Sequence, residues 1–297
     1  MKKRLLSLLC VLALCLTLLP ATALAEDSVS YVEYSWDGSE LTSETKSVSG
    51  YTTVTSISGN TTWTAGWYVV SGSVSNINDI TVTVSGAVNL ILPAGSKLEL
   101  TYGRISISDG GTLNIYGQEG GSGTLTLGGY GRSTSSGIGL NGSSALNIHG
   151  GAVNATGRCY TSVGAAPGID VGTGTLAVYG GEVTAEAGTY NSAGYGAGIR
   201  VTSSGTVSIY GGTVTATGAS NKSANGYSGA GIGGNGGSSA GETCGTVNIY
   251  GGTVTATGGS GGSGASAGIG GGQGGTASNQ GDGGNVTITR GTLTANG

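Results

Sequence analysis

GTVNIYGGTVTATGG, residues 245–259, repeats almost letter for letter the segment GTVSIYGGTVTATG at residues 205–218. Outward from this phrase, related segments along the chain each carry an apolar anchor residue. The anchors are Ile115, Ile148, Val178, Ile209, Ile249 and Ile288. Self-similarity at such nearly regular intervals indicates that one structural unit is repeated and stacked.

A second short phrase, Gly-Ile, occurs upstream of five of these anchors. Its isoleucines are Ile138, Ile169, Ile199, Ile232 and Ile269. Both phrases keep their order within each unit, and the variation in length falls in stretches rich in Gly, Ser, Ala and Asn. Fixed elements joined by connectors of variable length are typical of a solenoid.

Within each phrase the apolar residues alternate with polar ones. In residues 245–259, Val247 and Ile249 share one face, as do Val254 and Ala256 beyond the Gly-Gly pair. This period of two predicts short strands joined by tight turns, three strands to a unit. We therefore predict an all-β fold, a single-stranded parallel β-helix (a β-solenoid) with about 30–40 residues per coil, in which each coil pairs with the next. Fold precedent leads us to expect a right-handed coil.

The start of the chain has a different character. Residues 1–25 combine a basic N-terminus, a short apolar run and a small-residue cleavage site, which predicts a secretory signal peptide. We expect residues 26–49 to form a hairpin that acts as a cap or linker, because Asp37-Gly38 lies between two alternating runs.

The remainder, residues 50–297, is predicted to be the β-helix. Irregular early coils are expected at 50–110 and regular repeats at 111–297. The chain stops in the middle of a repeat, and we expect that its C-terminus is truncated. No membrane span is predicted after the signal peptide, so the protein is expected to be secreted or displayed on the cell surface.

Composition narrows the classes of partner. Without residues 1–25 the chain keeps eight Lys and Arg against fifteen Asp and Glu, a net charge of −7. No basic cluster is present, which argues against a nucleic-acid partner. Cys159 and Cys244 lie nearly three coils apart, so we predict two free thiols.

The order GWYVVSG, VNLIL, LNIYGQ, AGIGG and GTVNIYGGTVTATGG, over about residues 60–297, resembles the Gly-rich β-helix surface proteins of Gram-positive bacteria. Some of these carry the label carbohydrate-binding domain and are similar in fold to pectate lyases. The resemblance implies an exported protein that binds polysaccharide or cell-wall glycan.

One candidate binding surface is an outward column of aromatic residues next to the anchors. Its members are Tyr116, His149, Tyr179, Tyr210 and Tyr250. Aromatic rings spaced by one coil could stack on sugar rings, or they could form a ladder that only stabilises the stacking of coils. His149 is the only histidine, and its place in the column favours a ladder role over metal binding. No metal site is predicted from it.

A second candidate is a polar patch. Asp170 and Arg200 follow the Gly-Ile phrase in adjacent units and should lie close enough for an ion pair, with Glu182 and Glu186 on the coil of Asp170. A lyase could use such carboxylates and an arginine, whereas an ordinary surface ion pair needs no function. No cofactor is predicted, and Ca²⁺ is the one ion that this patch could hold.

Three hypotheses follow. The first is a non-catalytic, secreted or surface-displayed β-helix that binds polysaccharide. The second is a polysaccharide lyase or other glycan-degrading enzyme built on the polar patch. The third is a structural stalk or adhesin. The scarcity of charged residues favours a non-catalytic role but leaves a catalytic one open.

Overall fold

The computed structural model of this chain describes residues 27–121, 123–128, 134–159, 164, 166–189, 195–221, 226–262 and 264–297. The predicted signal peptide lies outside these residues. The strands, in chain order, are β1 (Val29–Trp36), β2 (Leu41–Val48), β3 (Thr52–Val54), β4 (Thr61–Val70), β5 (Ser73–Asn76), β6 (Thr81–Leu92), β7 (Lys97–Leu100), β8 (Arg104–Ile107), β9 (Thr112–Gly117), β10 (Thr124–Leu127), β11 (Ile138–Leu140), β12 (Ala145–Ile148), β13 (Ala152–Thr156), β14 (Ile169–Gly172), β15 (Thr175–Val178), β16 (Glu182–Glu186), β17 (Ile199–Val201), β18 (Thr206–Ile209), β19 (Thr213–Thr217), β20 (Ile232–Gly233), β21 (Thr246–Ile249), β22 (Thr253–Thr257), β23 (Ser260–Gly261), β24 (Gly264–Ala265), β25 (Ile269–Gly270), β26 (Asn285–Ile288) and β27 (Thr292–Asn296). A single 3₁₀ turn, Ala277–Asn279, is the one helical element in the described part of the chain.

The strands form three parallel stacks around a common interior, and the predicted parallel β-solenoid is confirmed. The first stack, which we call the Gly-Ile stack, has the order β8, β11, β14, β17, β20 and β25, and all of its strands except β8 contain an isoleucine of the Gly-Ile phrase. The anchor strands β9, β12, β15, β18, β21 and β26 form a second stack, which we call the ladder sheet. The third stack, β5, β7, β10, β13, β16, β19, β22 and β27, we call the threonine sheet. Strand β6 pairs with both β8 and β9 and so joins the first two stacks.

Coil length is not uniform along the solenoid. Ile115 pairs with Ile148, the next anchor along the chain, so one regular repeat forms one coil of the predicted length. In the early coils Leu90 pairs with Ile115, a distinctly shorter separation in sequence. These coils are shorter because strands such as β4 and β6 run across two faces with only a bulge between them.

The interior is made of columns in which each apolar side chain sits on its equivalent in the next coil. In the ladder sheet Leu146 lies between Leu113 and Leu176, and all three are buried. The same arrangement continues through Val207 to Val247. Burial of such a side chain contributes about 1.5–3 kcal/mol. The repeated sequence places one such side chain in every layer of a single continuous core.

The Gly-Gly pair of each repeat has a steric cause. The second glycine has a φ of +79° at Gly181, +74° at Gly212 and +79° at Gly252, in the left-handed region. A Cβ on Gly212 would lie 2.6 Å from the carbonyl oxygen of Gly181 in the preceding coil. The turn therefore needs glycine both for its backbone conformation and for the close approach of stacked coils.

Strands β1 and β2 form an antiparallel hairpin outside the solenoid. Its turn is closed by the Asp37 carboxylate, which accepts hydrogen bonds from the backbone N–H groups of Ser39 and Glu40, each at 2.7 Å. The hairpin does not lie over the first coil as a cap would. It runs along the outer side of the ladder sheet, where Arg290 near the last coil donates a hydrogen bond to the carbonyl of Ser39 at 3.2 Å.

In the described ranges, no helix has both the length and the apolar content needed to cross a membrane. Cys159 and Cys244 are both buried, and within the described residues neither forms a disulfide.

Candidate functional site

The aromatic column predicted from the repeats is present as a continuous stack, the aromatic ladder. Tyr116, His149, Tyr179, Tyr210 and Tyr250 follow one another with ring centroids 4.7, 4.8, 4.8 and 5.1 Å apart. Neighbouring ring planes differ by only 8–17°. The spacing follows from the coil rise of about 4.8 Å, because each ring projects from the same position of its coil.

This stacking uses the ring faces. Nearly parallel rings at such short centroid distances overlap face on face with an offset, the arrangement that the aromatic quadrupole favours. The faces of the inner rings are therefore covered by their neighbours, and the ladder presents ring edges outward. A sugar ring that stacks on an aromatic side chain needs a free face, so the ladder does not offer the flat sugar platform that its spacing suggested.

The ladder is also covered by the chain itself. Tyr31 of β1 contacts the ring of Tyr116 with centroids 4.8 Å apart, and Trp36 contacts the rings of Tyr210 and Tyr250 at 5.3 and 5.4 Å. Tyr116 is only 4% exposed and is buried in a small cluster with Tyr31. We call the β1–β2 hairpin the strap, because it lies across successive coils and contacts most of the ladder.

The strap and the ladder have matching lengths. Tyr31 and Trp36 lie near the two ends of β1, a separation that corresponds to about 17 Å of extended strand. The same distance, about 17 Å, separates Tyr116 from the midpoint between Tyr210 and Tyr250 at the coil rise. A strand that runs along the solenoid axis can therefore place one aromatic anchor at each end of the ladder.

His149 is the central contact between the strap and the coils. Its Nδ1 atom accepts a hydrogen bond from the backbone N–H of Tyr34 at 3.1 Å, so the ring is neutral in this arrangement. The residue is only 7% exposed. Burial lowers the pKa of His149 to about 4, against a smaller opposing effect of the Glu33 charge.

The polar patch forms around Arg200, but its membership differs from the one predicted. Asp170 lies opposite Arg200 on the neighbouring strand, and its carboxylate is 2.9 Å from Nη1. On the other side Glu242 accepts two hydrogen bonds, from Nε at 2.7 Å and from Nη2 at 2.9 Å. Sequence reasoning missed Glu242 because it lies in a connector outside the periodic phrases, where no pattern marks its position.

Glu182 and Glu186 do not join this cluster. Both are exposed residues of β16 in the threonine sheet, whereas Asp170 and Arg200 belong to the Gly-Ile stack. Strands β14 and β16 belong to the same coil, but they lie on different faces of the solenoid. Glu182 and Glu186 are therefore not beside Arg200, although they are close to Asp170 in sequence.

The guanidinium group of Arg200 is hydrogen-bonded to carboxylates on two sides. Its hydrogen bonds to Glu242 and Asp170 hold the charge in place, and they raise the pKa of Arg200 above its ordinary value. Burial raises the pKa of Asp170, with Arg200 acting in the opposite direction. An arginine held between two carboxylates cannot abstract a proton as a lyase base must, so this cluster is arranged as an ion-pair network.

We predict that R200L lowers the free energy of unfolding by about 1–3 kcal/mol at pH 7, because it leaves two partly buried carboxylates unpaired. The loss should be smaller at pH 4. Without the arginine the pKa of Asp170 rises further, so protonation of the folded state stabilises the variant as the pH falls. Urea denaturation at both pH values measures this difference.

R104L is the matched control, because the Arg104 Nε donates to the hydroxyl of Thr81 and the described residues place no carboxylate within ion-pair distance of it. A penalty for R200L that is equal at both pH values would contradict the ion-pair account.

The most regular uncovered surface lies on the threonine sheet. We call it the threonine face, and its members are the outward side chains of β19, β22 and β27: Thr213, Thr215, Thr217, Thr253, Thr255, Thr257, Thr292 and Thr294. All are exposed or half-buried. The sequence analysis did not name this surface, although threonine occupies every second position of the segment TVTAT at 213–217 and 253–257.

Within the described residues, no group of three or more His, Cys, Asp or Glu side chains is arranged to hold a metal ion.

No family model, no curated protein and no solved structure matches this chain. The resemblance to Gram-positive surface proteins therefore rests on the sequence phrases alone.

Proposed function

We propose that this chain is a secreted or cell-surface, non-catalytic protein that binds a neutral polysaccharide on its threonine face. The observation that carries the proposal is an uncovered array of threonine side chains held in register between coils. Parallel strands place the threonines about 4.8 Å apart between coils and about 6.7 Å apart along each strand. Such an array presents a hydroxyl and a methyl group at every point, which suits the mixed polar and apolar surface of a flat sugar chain.

The charges around this face support a neutral ligand. The eight threonine positions carry no ionisable group, and the next strand in the stack, β16, adds two exposed carboxylates, Glu182 and Glu186. These carboxylates would repel an acidic polysaccharide that lay along the same columns. Strands β19 and β22 pair in register along their whole length, so the columns are straight where the threonines are densest.

The test is retention on a panel of neutral and acidic insoluble polysaccharides. We expect wild-type protein to be retained by a neutral glycan, and T213V/T215V/T253V/T255V to be retained at least tenfold less. Valine keeps the β-branched shape but removes the hydroxyl, and each lost hydrogen bond costs about 0.5–1.5 kcal/mol.

T213S/T215S/T253S/T255S is the matched control, because it keeps the hydroxyl groups and should keep retention. Equal retention of the valine variant would show that the threonine face is not the binding surface. Failure of the wild-type protein to bind any glycan would contradict the proposed function itself.

A second candidate function is a rigid stalk or adhesin. The ladder favours this function, because its rings stack between successive coils and contact the strap. These contacts stabilise the packing of the coils along the solenoid axis. A protein that binds no glycan but keeps its thermal stability would support this reading.

A further inference from the structure

The strap is held to the coils by few polar contacts, and in one of them a histidine is the acceptor. His149 lies between the rings of Tyr116 and Tyr179 and accepts the N–H of Tyr34 through Nδ1. All other units of the ladder that face the strap carry tyrosine at this position. The chain thus places its only histidine at the middle of the contact between strap and ladder.

The ionisable groups near His149 come from both sides of this contact. From the strap they are Glu33, which is paired with Lys46, and the phenols of Tyr31 and Tyr34. From the coils they are Tyr116 and Tyr179, and Glu119 lines the same cleft of about 510 Å³ that His149 borders. Glu33 acts on the imidazole through its charge, and its carboxylate is paired with Lys46.

We propose that the β1–β2 strap is an acid-released element, held on the aromatic ladder by neutral His149 and freed when this ring takes up a proton. A protonated Nδ1 carries a hydrogen and has no lone pair, so it would meet the N–H of Tyr34 as donor against donor. The charge would also be buried among aromatic rings. Tyrosine faces attract a cation, but they cannot replace the lost acceptor.

The direction of the pH dependence follows from the pKa of His149. Burial lowers this pKa to about 4 when the strap is docked, and release of the strap exposes more of the ring and moves its pKa back towards the ordinary value of about 6.5. The docked state therefore binds fewer protons than the released state between these values. Docking is at full strength above about pH 6.5 and weakens as the pH falls towards 4.

Hydrogen exchange measured by mass spectrometry, corrected for intrinsic rates, reports the docking. Between pH 7 and pH 4.5 we expect protection of the strap peptides to fall by about one to two orders of magnitude. Peptides from the core strands β15 and β16 should keep their protection. This result does not depend on glycan binding, so it stands or falls apart from the proposed function.

H149Y is the decisive variant, because it restores the residue that the other units carry and removes the titration. Its strap should stay protected at both pH values. If the tyrosine weakens docking at neutral pH, H149N keeps an acceptor for the Tyr34 N–H without a titrating ring and serves the same purpose.

E33Q removes the Glu33 carboxylate from the contact and leaves His149 in place, so it separates the two groups. Unchanged strap protection in the wild type at pH 4.5 would overturn the proposal. Equal loss of protection in the wild type and in H149Y and H149N would also overturn it and assign the effect to carboxylates such as Glu33.

Discussion

G212A is expected to lower the free energy of unfolding by about 2–5 kcal/mol. Gly212 has a φ of +74°, and a Cβ there would lie 2.6 Å from the Gly181 carbonyl oxygen. The left-handed conformation alone costs an alanine about 1–2 kcal/mol, and the clash adds about 1–3 kcal/mol because the backbone of a stacked coil cannot move aside. Chemical denaturation of the purified protein measures the loss.

The chain supplies a matched control in Gly95, which also has a φ of +74° but has open space where its Cβ would be. G95A should therefore cost only the conformational part, about 1–2 kcal/mol. If G212A and G95A were equally destabilising, the close stacking of coils at the Gly-Gly turn would not explain the repeated glycine.

L146A is expected to lower the free energy of unfolding by about 2–5 kcal/mol, because it opens a cavity in a layer that is closed above and below. Leu146 is fully buried and stacks between Leu113 and Leu176. The double variant L113A/L146A should not be additive, since two cavities in adjacent coils merge and allow the walls to relax together. Thermal and urea denaturation of the two single variants and the double variant test both points.

T184A, on the outward side of β16, is the control, and its cost should stay within about 0.5 kcal/mol. A similar small cost for L146A would mean that the columns are loosely packed and that the core is not continuous through this layer.

The fold was predictable because the repeats carry it locally. Alternation in TVNIY and TVTAT assigns the inward side chains, and the spacing of the anchors assigns the partner strands, so register followed directly from the alignment of the phrases. The early coils are shorter than the regular repeats, because β4 and β6 each serve two faces and no repeated phrase marks the turn between them.

The candidate site was less predictable, and the ladder shows why. The sequence places five aromatic residues in one column, but ring orientation depends on the coil rise, which forces the rings face to face. The cover depends on Tyr31 and Trp36, which are far from the ladder in sequence. Contacts between segments that are distant in the chain produce no periodic pattern in the sequence. Glu242, which lies in a connector, was missed because it too belongs to no repeated phrase.

The sequence by itself determined that the chain stacks copies of one coil, because parallel pairing of equivalent strands repeats the same side-chain environment at every layer. Only the tertiary structure decided which outer surfaces stay open. It placed the strap over the ladder and left the threonine face uncovered, because packing between segments distant in the chain depends on three-dimensional shape that no repeat encodes.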